Sequence, residues 1–409
     1  MGRRLQRKKG AADALDEGMI RLARRHLFED VPRLLASLGG IVFAVTLVMV
    51  QSGIFNGFVR STSLLIEDSR ADIWLAAREM SYLEVTLPLP YRWLAKARTI
   101  EGVASSEPLA IRSVIWKSPS GELDYGRAIG FDPDGSLLAL RERLSGNASD
   151  LRRPYTFAAD ASQLDALGIS GVGGRGTIRG RPARLVALTH GTQPIISPTF
   201  FYSSLGNAAA WSPLTLSELE RIPLSAPSFD PDGPLSYVLI RAAPGADLTR
   251  LRSALEAAFP RTRALPRREM MEITRNYWIK RTNLGFILAL GALLGLFVGA
   301  VVVAQILYTS VNEHQREYGT LKALGISDRM LYASIVWQAV AMAVLGYVPG
   351  LALSAIVAAL AQARRGVSIS ITPLGALGVF GLTLAMCTGA ALFAVQRVTR
   401  VDPAIVFKA

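Results

Sequence analysis

Cysteine and histidine are scarce in this chain of 409 residues. Its one cysteine, Cys387, excludes an internal disulfide, so any domain outside the cytoplasm has to be held together by its hydrophobic core. The three histidines, His26, His190 and His314, lie far apart, and no cysteine or carboxylate stands near them at the spacing of metal ligands. We therefore expect no metal site in this chain.

Motifs of catalysis and of nucleotide binding are missing as well. The sequence has no Gly-x-Ser-x-Gly nucleophile elbow, and the glycine-rich stretch 171–176 lacks the Lys-Ser/Thr pair of a Walker A loop. Its glycine spacing alone does not make a dinucleotide fingerprint, which also needs a strand before it and a helix after it. We interpret 171–176 as a loop or as the turn of a hairpin. His190 follows a predicted strand, Arg184–Leu188, and is interpreted as a loop histidine. No catalytic residue is predicted.

Charged residues make up 19% of the chain, and they are absent from four long apolar runs. These runs are 34–59, 283–308, 330–362 and 373–396. Each is long enough to cross a bilayer as a helix, which takes about 20 apolar residues. More than thirty residues precede the first run, far more than the n-region of a signal peptide, so we interpret it as a retained anchor and not as a signal peptide. The chain is therefore predicted to be a membrane protein with four transmembrane helices.

The formal net charge of the chain is +13. Nucleic-acid binding would fit this charge, but the basic residues are spread along the chain without any zinc-finger, RRM or helix-turn-helix pattern, so no nucleic-acid partner is expected. They flank the apolar runs: segments 1–33, 309–329 and 397–409 hold nine, three and three Lys or Arg residues, whereas the loop 363–372 holds two. The positive-inside rule then predicts that both termini and the 309–329 loop are cytoplasmic. Residues 1–33 are predicted to form an amphipathic segment on anionic lipid.

Residues 60–282, between the first two runs, have the pattern of a mixed α/β domain. Alternating or β-rich segments predict strands at Ala71–Ala76, Ile111–Trp116, Gly126–Phe131 and Tyr237–Arg241. Helices are predicted at Leu89–Arg98 and at Leu248–Phe259, and Asp247 is expected to cap the second, which with its preceding strand makes half of a β-α-β unit. The predicted fold class is an α-helical membrane protein with four transmembrane helices plus a mixed α/β periplasmic domain inserted between helices 1 and 2.

The loop 309–329 has the pattern of a short helix. Glu313 to Leu324 suits a helix that Gly325 ends, and Ser327 is placed to cap the helix of the third span. Apolar and aromatic residues share one face of this helix, and charged residues share another. The pattern leaves two interpretations open: a solvated connector on the lipid headgroups, or a docking helix that inserts into a partner protein.

A family resemblance favours docking. The stretch Arg316-Glu317-x-Gly319-x-x-Lys322-Ala323-Leu324-Gly325 resembles the Arg-Glu-x-Gly-x-x-Arg/Lys-Ala-Leu/Ile-Gly motif of the MacB/FtsX/LolCDE superfamily of ABC-transporter permeases, although Tyr318 stands where that family usually has Ile or Val. The tail Arg397-x-x-Arg400-x-Asp402-Pro403-Ala404 resembles the family's closing motif, and one span followed by a large domain and three spans is the family's order. Residues 40–44, 129–133 and 277–278 are similar to the DevC type within the family.

The resemblance implies a homodimeric permease of the bacterial inner membrane that is not an enzyme by itself. A separate ATPase chain under each copy would bind ATP and Mg, and its motion would reach the periplasmic domain through the cytoplasmic helix and the spans. In the exporter branch that domain works with a membrane-fusion protein and an outer-membrane channel. An FtsX-like regulator of a periplasmic enzyme and a Lol-like lipoprotein-extraction permease are alternatives. The implied ATPase-coupling residues are Glu313, Arg316, Glu317, Tyr318, Gly319, Leu321, Lys322, Ala323 and Gly325, and the implied C-terminal motif residues are Arg397, Arg400 and Pro403.

Glycine recurs at every fourth position of the second run. Gly291, Gly295 and Gly299 line one face of the predicted helix, and a face of this kind allows another helix backbone to approach closely. Two alternatives are open from the pattern: packing against another span of the same chain, or a seam between two copies of the chain.

Overall fold

The computed structural model describes residues 31–138, 144–145, 147–212, 233–313, 320, 328–365 and 369–398. These residues form two compact units. The membrane unit contains the described residues up to Gly57 and from Asn283 onward, and the α/β unit is Phe58–Thr282.

The helices of both units are numbered here in chain order. They are α1 (Val31–Ser61), α2 (Leu64–Glu67), α3 (Trp93–Arg98), α4 (Leu164–Leu167), α5 (Leu205–Ala210), α6 (Leu248–Ala258), α7 (Arg267–Arg281), α8 (Leu284–Glu313), α9 (Asp328–Arg365) and α10 (Pro373–Val398). The strands are β1 (Ile73–Ala77), β2 (Leu89–Pro90), β3 (Val103–Lys117), β4 (Leu123–Phe131), β5 (Leu144–Ser145), β6 (Thr156–Asp160), β7 (Arg175–Ile178), β8 (Arg181–Thr189), β9 (Thr199–Ser204), β10 (Pro234–Leu235), β11 (Tyr237–Ala242) and β12 (Thr262–Pro266).

Helices α1, α8, α9 and α10 are long and apolar enough to cross a membrane. Within the part of the chain that the structure describes, the candidate spans are Leu34–Ser61, Leu284–Ser310, Tyr332–Gln362 and Pro373–Phe393. The shortest has 21 residues, and at about 1.5 Å per residue it covers the roughly 30 Å of a bilayer core. The α/β unit follows the first of these helices in the chain and precedes the second. The predicted fold class, four membrane helices with an α/β domain inserted after the first, is confirmed.

Helix α1 packs against α8 and α9. Its buried Ile41 and Val45 belong to one hydrophobic core with side chains of the other three long helices. Glycines of α9 bring the backbones close, because a Cβ added at Gly346 would lie 2.6 Å from Ile41 Cγ2 and one at Gly350 would lie 2.8 Å from Val45 Cβ. The Thr46 hydroxyl also donates a hydrogen bond of 3.2 Å to the carbonyl oxygen of Gly350.

A mixed sheet of ten strands is the frame of the α/β unit in the described residues. The strand order is β12-β1-β11-β3-β4-β9-β6-β8-β5, with β7 pairing with β3 and β8, while β10 pairs with β2 in a separate ladder. Strands β11 and β12 both run antiparallel to β1, so they are parallel to each other, and α6 connects them. The predicted half of a β-α-β unit is therefore confirmed, and β12 completes it with β1 between the two parallel strands.

The two faces of the sheet are covered by different helices. Met270 of α7 is buried with Trp74 and Tyr237 on one face. On the other face, Leu251 and Leu255 of α6 pack in a separate core. Asp247 caps α6 as predicted, since its carboxylate accepts hydrogen bonds from the backbone N–H of Thr249 at 2.8 Å and of Arg250 at 3.4 Å. Helix α7 is the last element of the domain before α8.

The predicted helix at Leu89–Arg98 was too long at its start. The structure has a helix only at Trp93–Arg98, while Leu89–Pro90 forms β2 and pairs with β10. Two prolines explain the difference, because Pro88 and Pro90 lack a backbone N–H and each disfavours helical backbone at the residue before it. The predicted strand Ile111–Trp116 was too short, since β3 begins at Val103.

Candidate functional site

The predicted coupling segment lies between α8 and α9, and the structure describes its edges. Helix α8 ends at Glu313, which is exposed, Thr320 is helical, and α9 begins at Asp328. The other predicted coupling residues lie outside the described residues: Arg316, Glu317, Tyr318, Gly319, Leu321, Lys322, Ala323 and Gly325. Their docking role stays a prediction that rests on the sequence motif.

Both ends of the chain also fall largely outside the described residues. The predicted amphipathic segment 1–33 is described only from Val31, where α1 begins. Of the C-terminal motif, Arg397 belongs to the last turn of α10, whereas Arg400 and Pro403 lie outside the described residues. The assignments for these segments therefore stay predictions.

The glycine stripe of α8 faces α1 within the same chain. A Cβ added at Gly291 would lie 2.5 Å from the Gln51 amide nitrogen, and one at Gly295 would lie 2.6 Å from Leu47 Cδ2. At Gly299 the added atom would lie 2.8 Å from the Ala44 Cβ. The stripe is thus a packing surface between two spans of one chain, and any side chain larger than hydrogen would press on α1.

The two chain segments that connect the α/β unit to the membrane helices meet in a network of charged and polar side chains. The Arg60 guanidinium, at the end of α1, lies 3.0 Å from the Glu67 carboxylate of α2. From α7, Arg275 donates a hydrogen bond of 2.8 Å to the Ser63 hydroxyl, and its guanidinium lies 3.9 Å from the same Glu67 carboxylate. We call Arg60, Ser63, Glu67 and Arg275 the joint. It ties the segment that enters the domain to the segment that leaves it.

Aromatic rings form a second contact between α7 and the rest of the α/β unit. The ring of Tyr82 stacks on that of Tyr277, with centroids 4.1 Å apart, and Trp278 meets Tyr82 edge-on at 5.4 Å. The buried Tyr237 hydroxyl donates a hydrogen bond of 2.8 Å to the Leu83 carbonyl oxygen and so holds the turn that carries Tyr82. Burial raises the pKa of the Tyr82 hydroxyl, and the nearby Glu84 carboxylate adds to the effect, so Tyr82 stays neutral at physiological pH.

No group of three or more His, Cys, Asp or Glu side chains placed to hold a metal ion occurs in the described ranges. His190 directly follows β8, and its Nε2 lies 3.1 Å from the Ser145 hydroxyl. Cys387 is a buried residue of α10. The contacts that the structure adds are the joint and the packing of Tyr82 on Tyr277 and Trp278.

Sequence reasoning missed the joint. Glu67 and Arg275 are brought together only by the fold, because they stand at opposite ends of the α/β unit. The sequence held one signal, since Tyr277 and Trp278 precede the second span as aromatic residues do at a membrane surface. Their packing on Tyr82 was not predictable from that position.

Comparison with known families covers both units. A model of the MacB-like periplasmic core domain matches residues 34–258, and a model of the FtsX-like permease C-terminal region matches residues 289–403. The first match covers more than half of the chain. The chain belongs to the MacB/FtsX permease family. The family predicted from the sequence motifs is therefore confirmed. In this MacB/FtsX permease the FtsX-like match covers the last three helices and includes the predicted coupling segment and most of the C-terminal motif.

This MacB/FtsX permease is similar over part of its length to curated ABC transporter permeases. Uncharacterized ABC transporter permeases of Mycobacterium tuberculosis (Rv2563) and Mycobacterium bovis (Mb2592) are 30% identical over 110 residues, which is 27% of this chain and 30% of each relative. The chain thus matches less than a third of the length of these relatives. Among solved structures, the periplasmic region of MacB from Actinobacillus actinomycetemcomitans is 12% identical with a TM-score of 0.32, over 53% of this chain and 96% of that one. The extracellular domain of the ABC-type transporter YknZ from Gram-positive bacteria is 10% identical with a TM-score of 0.31, over 47% of this chain and 98% of that one.

Removing the charge of Glu67, which pairs with both arginines of the joint, is expected to destabilise the α/β unit slightly. Since the side chains of Arg60, Glu67 and Arg275 are 31–56% exposed, we expect Glu67→Gln to lower the free energy of unfolding by about 1 kcal/mol or less and Tm by about 4 °C or less. Differential scanning fluorimetry of the full chain in detergent measures this shift. The matched control is Glu272→Gln, because Glu272 is exposed and pairs with Arg268 along one helix. Equal shifts for the two variants, or a Glu67→Gln shift that high salt does not reduce, would contradict the role of the joint.

Proposed function

We propose that this MacB/FtsX permease is the membrane subunit of an ABC transporter whose ATPase is a separate chain. The proposal places ATP and Mg on that partner, and it assigns no catalytic residue and no cofactor to this chain. Two facts support it: the family of the chain, and the description of its mycobacterial relatives as ABC transporter permeases. The candidate spans contain no charged residue between Leu284 and Ser310 or between Tyr332 and Gln362, so an ion relay through them has no obvious carrier.

One observation carries the proposal: the chain contains the MacB-like periplasmic core domain followed by the FtsX-like permease C-terminal region. A domain with its own sheet is inserted after α1, and the segment that resembles the ATPase-docking motif lies between α8 and α9. Helix α8 is therefore the direct covalent link from the docking segment to α7 and the joint. A displacement of the docking segment would act on α8, which continues in the chain to α7.

We propose an orientation in which both termini and the docking segment lie in the cytoplasm of a bacterial inner membrane. The α/β unit then lies in the periplasm. This assignment rests on the basic residues of segments 1–33, 309–329 and 397–409. A second copy of the chain would complete the permease, since an ABC transporter places one ATPase under each of two permease halves.

We further propose the exporter branch of the family. In that branch the periplasmic unit works with a membrane-fusion protein and an outer-membrane channel, and the DevC-like stretches at 40–44 and 129–133 support this assignment. The FtsX-like and Lol-like alternatives differ from it in their periplasmic partner, which is a cell-wall hydrolase in one case and a lipoprotein chaperone in the other.

Affinity purification of the tagged full chain from its native membranes in mild detergent tests the proposal. Mass spectrometry of the co-purified proteins is expected to find an ATPase chain with a Walker A motif and a periplasmic adaptor. An ATPase together with a wall hydrolase or a lipoprotein chaperone would support the permease role and replace the exporter branch by one of its alternatives. The absence of any ATPase, under conditions that keep a control ABC transporter intact, would overturn the proposal.

A further inference from the structure

Two loops of the α/β unit expose large aliphatic side chains close to the end of the first span. Val85 and Leu87 lie in the loop 79–88, and Ile195 and Ile196 lie in the loop 190–198. Between 38% and 53% of the surface of each side chain is exposed. Grouped apolar side chains on a surface are typical of a region that another phase or molecule covers. We call these segments the apolar loops.

The apolar loops are fastened to each other. One Glu84 carboxylate oxygen lies 2.8 Å from the Arg127 guanidinium, and the other accepts a hydrogen bond from the Ser197 hydroxyl. The Glu84 side chain is only 5% exposed, so the carboxylate that contacts both Arg127 and Ser197 is buried. Val85 and Leu87 therefore stand next to the loop that carries Ile195 and Ile196.

The second apolar loop is held in shape by one side chain. The Gln193 amide nitrogen lies within 3.0–3.2 Å of the carbonyl oxygens of Pro194, Ser197 and Pro198. The backbone N–H of Phe200 donates a hydrogen bond of 3.0 Å to the amide oxygen of the same Gln193. The backbone of the loop that carries Ile195 and Ile196 is thus held by the hydrogen bonds of Gln193, and the two side chains are exposed in an ordered loop.

The position of this loop relative to the bilayer follows from α1. The backbone N–H of Ile195 donates a hydrogen bond of 3.2 Å to the hydroxyl of Ser61, the last residue of both α1 and the first candidate span. That span has 28 residues. At about 1.5 Å per residue it is about 42 Å long, close to the roughly 40–45 Å thickness of a bilayer including its headgroups. A membrane-spanning α1 of this length would place Ser61, and Ile195 with it, at the level of the lipid headgroups.

The surroundings of the apolar loops have the composition of a membrane interface. Tyr82 belongs to the first loop and packs with Tyr277 and Trp278, and amphipathic rings of this kind concentrate at the headgroup level. Exposed Lys280 and Arg281 follow at the end of α7. Aromatic rings against the first loop, followed in the same helix by exposed cations, match a lipid surface, where apolar side chains enter the acyl boundary and cations meet phosphates.

We propose that the apolar loops insert into the outer part of the lipid leaflet at which α1 ends. Lipid then covers the exposed side chains of Val85, Leu87, Ile195 and Ile196. This contact would be a third attachment of the α/β unit to the membrane, besides its two covalent connections, and it would oppose tilting of the domain. The proposal goes beyond the transport function and does not depend on it.

Site-directed fluorescence in the full chain tests the insertion. With Cys387→Ala as background, Ile195→Cys and Leu87→Cys are each labelled with an environment-sensitive fluorophore and reconstituted into phosphatidylethanolamine–phosphatidylglycerol vesicles containing a headgroup-nitroxide lipid. Val172→Cys is the matched control, because Val172 is a β-branched side chain that is 59% exposed in the glycine-rich loop. We expect quenching by the nitroxide lipid to be about twofold or more greater at positions 195 and 87 than at position 172.

Each other outcome overturns the proposal. Equal lipid quenching at the three positions, with equal quenching by aqueous iodide, would show that water covers the apolar loops. Protection from iodide at positions 195 and 87 without quenching by the nitroxide lipid would show that a protein surface, such as a second copy of the chain, covers them. The labelled positions are exposed, so the label displaces no core side chain.

Discussion

Reversing the charge of Glu317 is expected to reduce the ATPase activity of the assembled complex by about tenfold or more. Under the proposed function Glu317 lies in the segment that docks into the ATPase, and disturbing a buried charged contact at an interface costs about 2–5 kcal/mol. A loss of this size weakens docking by more than about tenfold. Phosphate release by the complex of ATPase and Glu317→Lys permease in nanodiscs measures the effect.

A charge reversal elsewhere in the chain separates docking from net charge. Glu272→Lys makes the same chemical change on α7, where the side chain is exposed and pairs with Arg268. We expect this variant to retain the ATPase activity of the unmodified complex. The amount of ATPase that co-purifies with Glu317→Lys shows whether docking itself is lost. Full ATPase activity in a Glu317→Lys complex would rule out a docking role for this residue.

Adding a side chain at Gly299 is expected to disrupt the packing of the membrane unit. A Cβ at this position would lie 2.8 Å from the Ala44 Cβ and 3.0 Å from the Met386 sulfur. Ala44 has no side-chain torsion with which to move aside, so the α1 backbone has to shift. Overpacking costs about 1–3 kcal/mol, and at the upper end of this range we expect Gly299→Val to lower Tm by about 6–12 °C. Thermal unfolding of the purified full chain in detergent measures the change.

The same substitution at Gly381 is the control for Gly299→Val. Gly381 belongs to α10, and a Cβ added there has no neighbour within 4 Å. Both variants replace a helical glycine by a β-branched residue, so they share any effect of backbone propensity. We expect Gly381→Val to leave Tm almost unchanged. Equal losses at the two positions would mean that contact with α1 does not explain the glycine stripe.

Much of the fold could be predicted because its signals are local. An uncharged run such as 283–308 has one stable arrangement in a bilayer, which is a helix with all its backbone hydrogen bonds made internally. The strand Tyr237–Arg241 and the capped helix after it were also correct, since β-rich composition and the Asp247 cap act within a few residues. The start of α3 was wrong because Pro88 and Pro90 override the helical spacing that follows them.

The candidate site was less accessible to sequence reasoning, for two different reasons. The coupling motif has a sequence signature, so it could be recognised without any structure, although Glu317 and its neighbours lie outside the described residues. The joint has no signature, because Arg60, Glu67 and Arg275 are common charged residues whose proximity depends on how α2 and α7 pack. The pairing of Glu84 with Arg127 is hidden in the same way, by a separation of 43 residues.

The central place of α1 in the membrane unit has a consequence for biogenesis. Its partners α8 and α9 follow the α/β unit in the chain, so the ribosome has to complete Phe58–Thr282 before either partner exists. At about 5–20 residues per second this takes roughly 10–45 s. Throughout that interval neither α8 nor α9 is available to cover Gln51 and the small side chains of α1. Newly made chains are therefore most open to wrong pairing with neighbouring membrane proteins during synthesis of the domain, before α8 is inserted.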